Sequence, residues 1–121
     1  MVTVEDFEPL RNATLVTHPQ NYSVIFSPGG PADHHLEPVF TAQGCEGGGY
    51  DWESAVRGLL VDRGSDLSER VGFDSEAGMF CAYGTDLDAL HGIALALESL
   101  LADPDLLARA LRVAGEHDLL D

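Results

Sequence analysis

The residues best suited to chemistry in this sequence are four carboxylates in two short segments. Asp51 and Glu53 follow a run of three glycines, and Asp74 and Glu76 lie further on, between two phenylalanines. Asp74 and Glu76 could act as a general acid and base, but that chemistry needs a cleft with room for a substrate. A hairpin tip normally projects into solvent, where carboxylates can contact lysine or arginine on a partner. The pattern therefore fits an acid–base pair, a partner-binding tip or a solvated turn.

Asp33-His34-His35 is a second candidate, because imidazoles beside a carboxylate can bind zinc or another divalent ion. No second cluster such as His-x-x-x-His or Cys-x-x-Cys accompanies it. Adjacent residues in a proline-rich loop rarely converge on one ion without such help. We therefore predict a solvated loop, with no metal site and no cofactor.

Nucleophilic catalysis would need Cys45, Cys81 or a serine beside a histidine, and His91 and His117 are the candidates on predicted helices. No spacing in the sequence pairs them. Cys81 alternates with hydrophobic residues in a predicted strand, which favours burial, so Cys45 is expected to be the more exposed thiol. Two cysteines without metal-site spacing predict reduced thiols.

The glycine run Gly47-Gly48-Gly49 precedes a predicted helix, where backbone N–H groups could bind an anion. Asp51 and Glu53 place negative charge at the same helix end, and a phosphate-loop lysine is absent. We therefore predict a flexible entry loop and a carboxylate cap at Asp51.

Charge limits the partners of this chain of 121 residues, which has a formal net charge of -15 from 6 basic and 21 acidic residues. The hydrophobic fraction is 45%, so the acidity does not indicate disorder, and the length fits one domain spanning residues 1–121. Such a charge repels phosphate, which disfavours nucleic acids and anionic membranes and favours a cationic protein. A solubility surface or adaptation to salt would also explain the acidity.

The N-terminus lacks the basic start and apolar run of a secretory signal. The most apolar helix-like stretch, Ile93–Ala102, is interrupted by Glu98 and reaches only about half the length of a membrane span. We therefore expect a cytoplasmic protein that does not contact the membrane.

Strands are predicted where β-branched and aromatic residues cluster. Ala13–His18 and Tyr22–Ser27 form a hairpin, because the His-Pro-Gln-Asn sequence between them is typical of a turn. Val39–Ala42 offers a short third strand after a loop rich in proline and glycine. Arg70–Phe73 and Met79–Tyr83 predict a second hairpin.

Helical periodicity begins at Tyr50 and predicts an amphipathic helix that ends at Gly64. The segment Thr85–Asp88 is similar to a capping box and predicts the start of a long helix. Asp103-Pro104 can cap and start a final helix. Together these elements predict an α+β fold, an antiparallel sheet of about five strands with helices packed on one face.

Two segments resemble the bacterial immunity protein 51 family: Gly49–Glu53 at the start of a helix, and Phe73–Phe80 followed by Tyr83. The similarity in pattern runs from about Tyr22 to the long helix. Members are associated with polymorphic toxin systems, so the resemblance implies an intracellular antidote that binds a cognate toxin. It transfers no catalytic residues.

The predicted partner-binding residues rest on physical argument and are Tyr50, Asp51, Trp52, Glu53, Asp74 and Glu76. Trp52 also fits a core position, since large aromatic rings more often anchor a core than an interface. The leading hypothesis is stoichiometric masking of a toxin by this acidic, partly aromatic surface. A nuclease toxin would fit, because an acidic inhibitor competes with the phosphate backbone for a basic groove. The alternatives are a small enzyme that uses the Asp74–Glu76 pair or a histidine-bound metal, and an interaction module without a toxin partner.

Overall fold

The structure is a computed structural model that describes residues 1–120. Four strands and four α-helices follow one another along the chain. In order they are β1 (Thr14–Thr17), β2 (Tyr22–Phe26), α1 (Glu37–Ala42), α2 (Gly49–Asp62), β3 (Gly72–Phe73), β4 (Phe80–Gly84), α3 (Leu87–Ala102) and α4 (Pro104–Glu116). Short 3-10 turns lie at Val4–Phe7, His34–Leu36 and Leu67–Glu69. No helix within the described part of the chain has the length and apolar character needed to cross a membrane.

The strands form one antiparallel sheet in the order β1-β2-β4-β3. The register places Val24 opposite Ala82 and Phe26 opposite Phe80, and all four side chains are buried. Because opposite residues point to the same face of a sheet, these side chains define the face that packs on the helices. The predicted α+β fold with an antiparallel sheet and both predicted hairpins is confirmed.

The predicted third strand is wrong, which is why the sheet has four strands and not about five. Residues Val39–Ala42 instead belong to α1. Pro38 lies in the first turn of this helix, where its missing N–H costs no intrahelical bond. Leu36 and Phe40 are spaced by one helical turn and both are buried. The burial of these two side chains favours a helix, although the segment contains β-branched residues.

Helix α2 lies at the centre of the molecule and contacts β4, α3 and α4. Trp52 has no exposed surface, and its ring packs edge-on against Phe26 and Phe40 at centroid distances of 5.5 and 5.1 Å. At Gly58, a Cβ would overlap the Ala110 carbonyl oxygen and lie 3.0 Å from the Ala114 Cβ. Glycine at this position therefore allows α2 and α4 to approach closely.

Aspartates cap the last two helices. The Asp103 carboxylate accepts hydrogen bonds from the first-turn N–H groups of α4, as predicted. At α3 the cap is Asp86, which accepts from the Ala89 N–H at 3.1 Å, and not Thr85 as the capping-box pattern indicated. The aspartate one residue later supplies the stronger acceptor, which also lies 2.7 Å from the Arg70 guanidinium.

The N-terminal arm is held to the helix layer by Glu98, the residue that interrupts the apolar stretch of α3. Its carboxylate accepts hydrogen bonds from the backbone N–H of Asn12 at 2.7 Å, the Asn12 side-chain amide at 2.8 Å and the N–H of Ala13 at 2.9 Å. This carboxylate is the acceptor for the backbone N–H groups immediately before β1. That role explains why a charged residue interrupts the apolar stretch of α3.

Candidate functional site

The β3–β4 hairpin places one of its acidic residues, Asp74, on the sheet face opposite the helices. Gly72 pairs with Tyr83, Asp74 donates its N–H to the Cys81 carbonyl, and Glu76 bridges to Met79. Phe73 lies between Gly72 and Asp74 and pairs with Ala82, which is on the helix-covered face. Side chains on a strand alternate between faces, and Asp74 borders the same concave surface as Tyr83, Cys81 and Met79, so these four lie on one side of the sheet. We call this side the open face.

The two segments that carry the sequence resemblance are in contact. The Gly49 N–H donates to the Ala77 carbonyl at 2.8 Å, which joins the start of α2 to the hairpin tip. A Cβ on Gly48 would lie 2.6 Å from the Ala77 carbonyl oxygen, and one on Gly49 would overlap the carbonyl oxygens of Glu76 and Met79. The glycine run is thus a close-packed contact and not the flexible entry loop that we predicted.

The carboxylates of the hairpin tip are exposed. Within residues 1–120, the side chains of Asp74 and Glu76 form neither a hydrogen bond nor an ion pair. We name these two residues the acidic tip. Because its backbone is fixed against α2, the acidic tip presents its charges from a defined position.

The other predicted site residues have different environments. Tyr50 is 48% exposed in the first turn of α2. Asp51 does not cap the helix, which begins after Gly48 without a side-chain cap. Its carboxylate instead accepts the N–H groups of Glu46 and Gly47 at 3.0 and 2.8 Å, closing the loop before the helix. The Asp51 carboxylate still lies in the first turn of α2, where the helix dipole favours a negative charge.

Trp52 and Glu53 complete the predicted set. The ring of Trp52 is in the core, so this residue does not belong to the surface. Glu53 is partly buried and lies 3.7 Å from Arg57, whose guanidinium is 5.7 Å from the centre of the Phe73 ring. The structure therefore brings Tyr50, Glu53 and the acidic tip to the region where α2 meets the hairpin, with Trp52 beneath it.

A broad concave depression of about 830 Å³ occupies the open face, and it was not predicted. It is lined by residues of β1, β2, β4 and the two turns: Val16, His18, Pro19, Gln20, Asn21, Ser23, Ile25, Asp74, Met79, Cys81 and Tyr83. The signal that could have found it is the alternation of each strand, since these are the residues out of phase with the core positions. The sequence did not show which face the helices would leave uncovered.

Three carboxylates act on the Cys81 thiol at the open face. Burial raises the pKa of the Cys81 thiol, a hydrogen bond with Ser23 opposes the rise, and the carboxylates of Asp74, Glu76 and Glu53 add to it. Ser23 Oγ also lies 2.9 Å from His18 Nε2. The lining contains no lysine or arginine. A cation placed here would meet the Asp74 carboxylate, and His18 is the one titratable base in the lining.

The residues considered for metal binding are used in local structure. The Asp33 carboxylate accepts the N–H groups of Gly29 and Gly30 at 3.0 to 3.1 Å, and His34 lies 3.5 Å from Glu37 on the surface. No three His, Cys, Asp or Glu side chains among residues 1–120 are placed to hold a metal ion together. Cys81 is buried and Cys45 partly buried, while the ring of His91 packs on Phe7.

A small α+β domain with one sheet face packed on helices and the other face concave, uncovered and bordered by the Asp74 carboxylate has the features of a protein that binds a partner. The model of the family described as Immunity protein 51 matches residues 15–116. The chain therefore belongs to the immunity protein 51 family and is an immunity protein of a toxin system. We found no significant match among curated proteins or among solved structures.

Proposed function

We propose that this immunity protein neutralises its toxin by stoichiometric binding in the cytoplasm, through the surface where α2 meets the β3–β4 hairpin. The observation that carries the proposal is the acidic tip. Asp74 and Glu76 are exposed and unpaired among the described residues, although the chain carries six basic residues. A free carboxylate pair on a fixed backbone is suited to a basic partner.

The rigidity of the acidic tip favours tight binding. The contact between Gly49 and the hairpin fixes the backbone of residues 76–79 before any partner arrives. A surface that is already ordered loses less conformational entropy on association than a flexible loop. Tyr50, which is exposed beside this contact, adds an aromatic ring of the kind that is enriched in protein interfaces.

Charge gives the partner its expected character. A formal net charge of -15 attracts a cationic protein over distances limited by the Debye length, about 8 Å at physiological ionic strength. A toxin that acts on nucleic acid needs a basic groove for the phosphate backbone, and an acidic inhibitor can occupy that groove. A nuclease is therefore the toxin class that we propose.

The experiment needs a cognate toxin domain, which is sought among the genes that neighbour the one for this chain and is then co-expressed and purified with it. We expect a complex of defined stoichiometry whose association rate falls as salt is raised, with a smaller change in the dissociation rate. Failure of the two proteins to co-purify, or a toxin that remains active with the immunity protein in excess, would contradict the proposed function.

The surface is tested with Asp74→Lys/Glu76→Lys. Both side chains are exposed, so we expect the fold to persist with a stability change of about 0.5 kcal/mol or less, while binding weakens. Glu8→Lys/Glu116→Lys is the matched control, because it changes net charge equally at exposed positions in the N-terminal arm and at the end of α4. Equal binding by both double variants would rule out the acidic tip as the interface and leave only a general charge effect.

A further inference from the structure

The open face contains an exposed aromatic ring next to an unpaired carboxylate. Tyr83 on β4 is 40% exposed and lies directly opposite Gly72. A Cβ on Gly72 would overlap the Tyr83 ring and lie 2.6 Å from its hydroxyl oxygen, so the ring lies across the backbone of β3. A side chain at residue 72 would displace the ring, so glycine at this position allows the observed placement of Tyr83.

Asp74 is the next residue of the hairpin on the same face as Gly72. Its N–H donates to the carbonyl of Cys81, the residue two positions before Tyr83, so Asp74 lies diagonally from Tyr83. Diagonal neighbours in an antiparallel pair lie about 7 to 8 Å apart at the backbone, within reach of long side chains. Both residues line the 830 Å³ depression.

We propose that this part of the open face is a subsite for an arginine side chain of the toxin, with the guanidinium over the Tyr83 ring and beside the Asp74 carboxylate. The inference rests on the proposed function, and it names the group that the toxin presents. The planar guanidinium stacks on an aromatic face while its N–H groups donate to a carboxylate, a combination that the compact, strongly hydrated ammonium of lysine does not match.

The rest of the depression is suited to the arginine stem and its neighbours. Met79, Ile25 and Val16 supply apolar surface beside the subsite. Such surface accommodates the methylene groups of a long cationic side chain while its charged end meets the carboxylate. Burial raises the pKa of the Cys81 thiol in this lining, and the Asp74, Glu76 and Glu53 carboxylates add to the rise.

The subsite is first tested without a toxin. The uniformly labelled protein is titrated with N-acetyl-arginine amide and monitored by NMR, with N-acetyl-citrulline amide as the uncharged control probe. We expect the backbone signals of Asp74, Cys81 and Tyr83 to shift at millimolar arginine, and not with citrulline. Equal shifts for both probes, or shifts spread over the acidic residues of α4, would overturn the proposal.

Variants then test whether the toxin uses the subsite. Asp74→Asn and Tyr83→Leu should each weaken toxin binding about tenfold, the loss expected for one cation–π or charge-assisted contact. Leucine at residue 83 retains an apolar side chain over Gly72 and removes the aromatic ring. Tyr83→Phe keeps the ring, so this variant should bind within twofold of wild type. Leu95→Ala, an exposed position of 46% on α3, is the control and should bind normally.

A double-mutant cycle identifies the arginine. Each toxin arginine is replaced by alanine and measured against wild type and Tyr83→Leu. We expect one arginine whose loss has little further effect in Tyr83→Leu, because the two residues share one contact. If wild type binds the toxin but the loss of binding from every arginine substitution adds to the loss from Tyr83→Leu, the proposed subsite is wrong and toxin neutralisation stands. If wild type does not bind, the proposed function fails first.

Discussion

Gly49→Ala is the substitution that best tests how the site is built. Residue 49 opens α2, and alanine is favoured over glycine by about 1 kcal/mol inside a helix, so this is the largest gain that the substitution can bring. The structure predicts the opposite result. A Cβ at this position would overlap the carbonyl oxygens of Glu76 and Met79, which are backbone atoms that cannot rotate away.

The magnitude follows from two losses and one gain. Overpacking of a close contact costs about 1 to 3 kcal/mol. Separation of the hairpin from α2 also breaks the 2.8 Å hydrogen bond from the Gly49 N–H to the Ala77 carbonyl, which contributes about 1 kcal/mol. After the helix-propensity gain of about 1 kcal/mol is subtracted, we expect the free energy of unfolding to fall by about 1 to 3 kcal/mol.

The assay is urea unfolding followed by the fluorescence of Trp52, the single tryptophan, which is buried in the native state. The midpoint should fall without a change in the denaturant slope, because the surface exposed on unfolding stays the same. Gly78→Ala in the same hairpin is the matched control. A Cβ there has no atom within 4 Å and the residue has no positive φ, so stability should stay within about 0.5 kcal/mol.

A Gly49→Ala protein as stable as wild type, or more stable, would refute the reasoning that the glycine run is a packing contact. The same variant should also bind the toxin more weakly than Gly78→Ala does, since it displaces the backbone that carries the acidic tip. If Gly49→Ala loses stability but binds the toxin as wild type does, the glycine contact stabilises the fold and is not needed for the proposed interface.

Three further predictions concern the framework. Glu98→Ala should lower the free energy of unfolding by about 2 kcal/mol, because it leaves the N–H groups at Asn12 without their acceptor; urea unfolding measures this and an unchanged midpoint would contradict it. Trp52→Ala should cost about 3 to 5 kcal/mol and Trp52→Phe clearly less, because the indole N–H has no hydrogen-bond partner to lose; equal costs in thermal unfolding would be inconsistent with this account. The pKa of Asp86 lies below its ordinary value of 3.8, first through the N–H of the helix cap and then through Arg70, so its stabilisation is present above 3.8 and lost as pH falls through the folded pKa. The stability difference between wild type and Asp86→Asn should therefore be largest near neutral pH and shrink in acid, since asparagine keeps the cap and removes the charge; a difference independent of pH would argue against the ion pair.

The elements with strong local signals were predictable. The turn between β1 and β2 is closed by a hydrogen bond from the His18 N–H to the Asn21 carbonyl, and α4 begins at Pro104 with Asp103 as its cap. These signals act within a few residues, so the sequence alone is sufficient to predict them. Val39–Ala42 shows where this fails: its β-branched residues favour a strand, while the packing of Leu36 and Phe40 on distant residues makes it helical.

The sequence by itself determined that the protein is acidic, that its helices are amphipathic, and that two segments resemble the immunity protein 51 family. Only the tertiary structure brought the glycine run against the hairpin tip, turned Asp51 toward its own loop and placed Trp52 in the core. It also decided which sheet face remains open. Alternation along a strand divides residues into two sets, but the face that receives helices depends on contacts between residues far apart in the chain, and those contacts leave no local pattern.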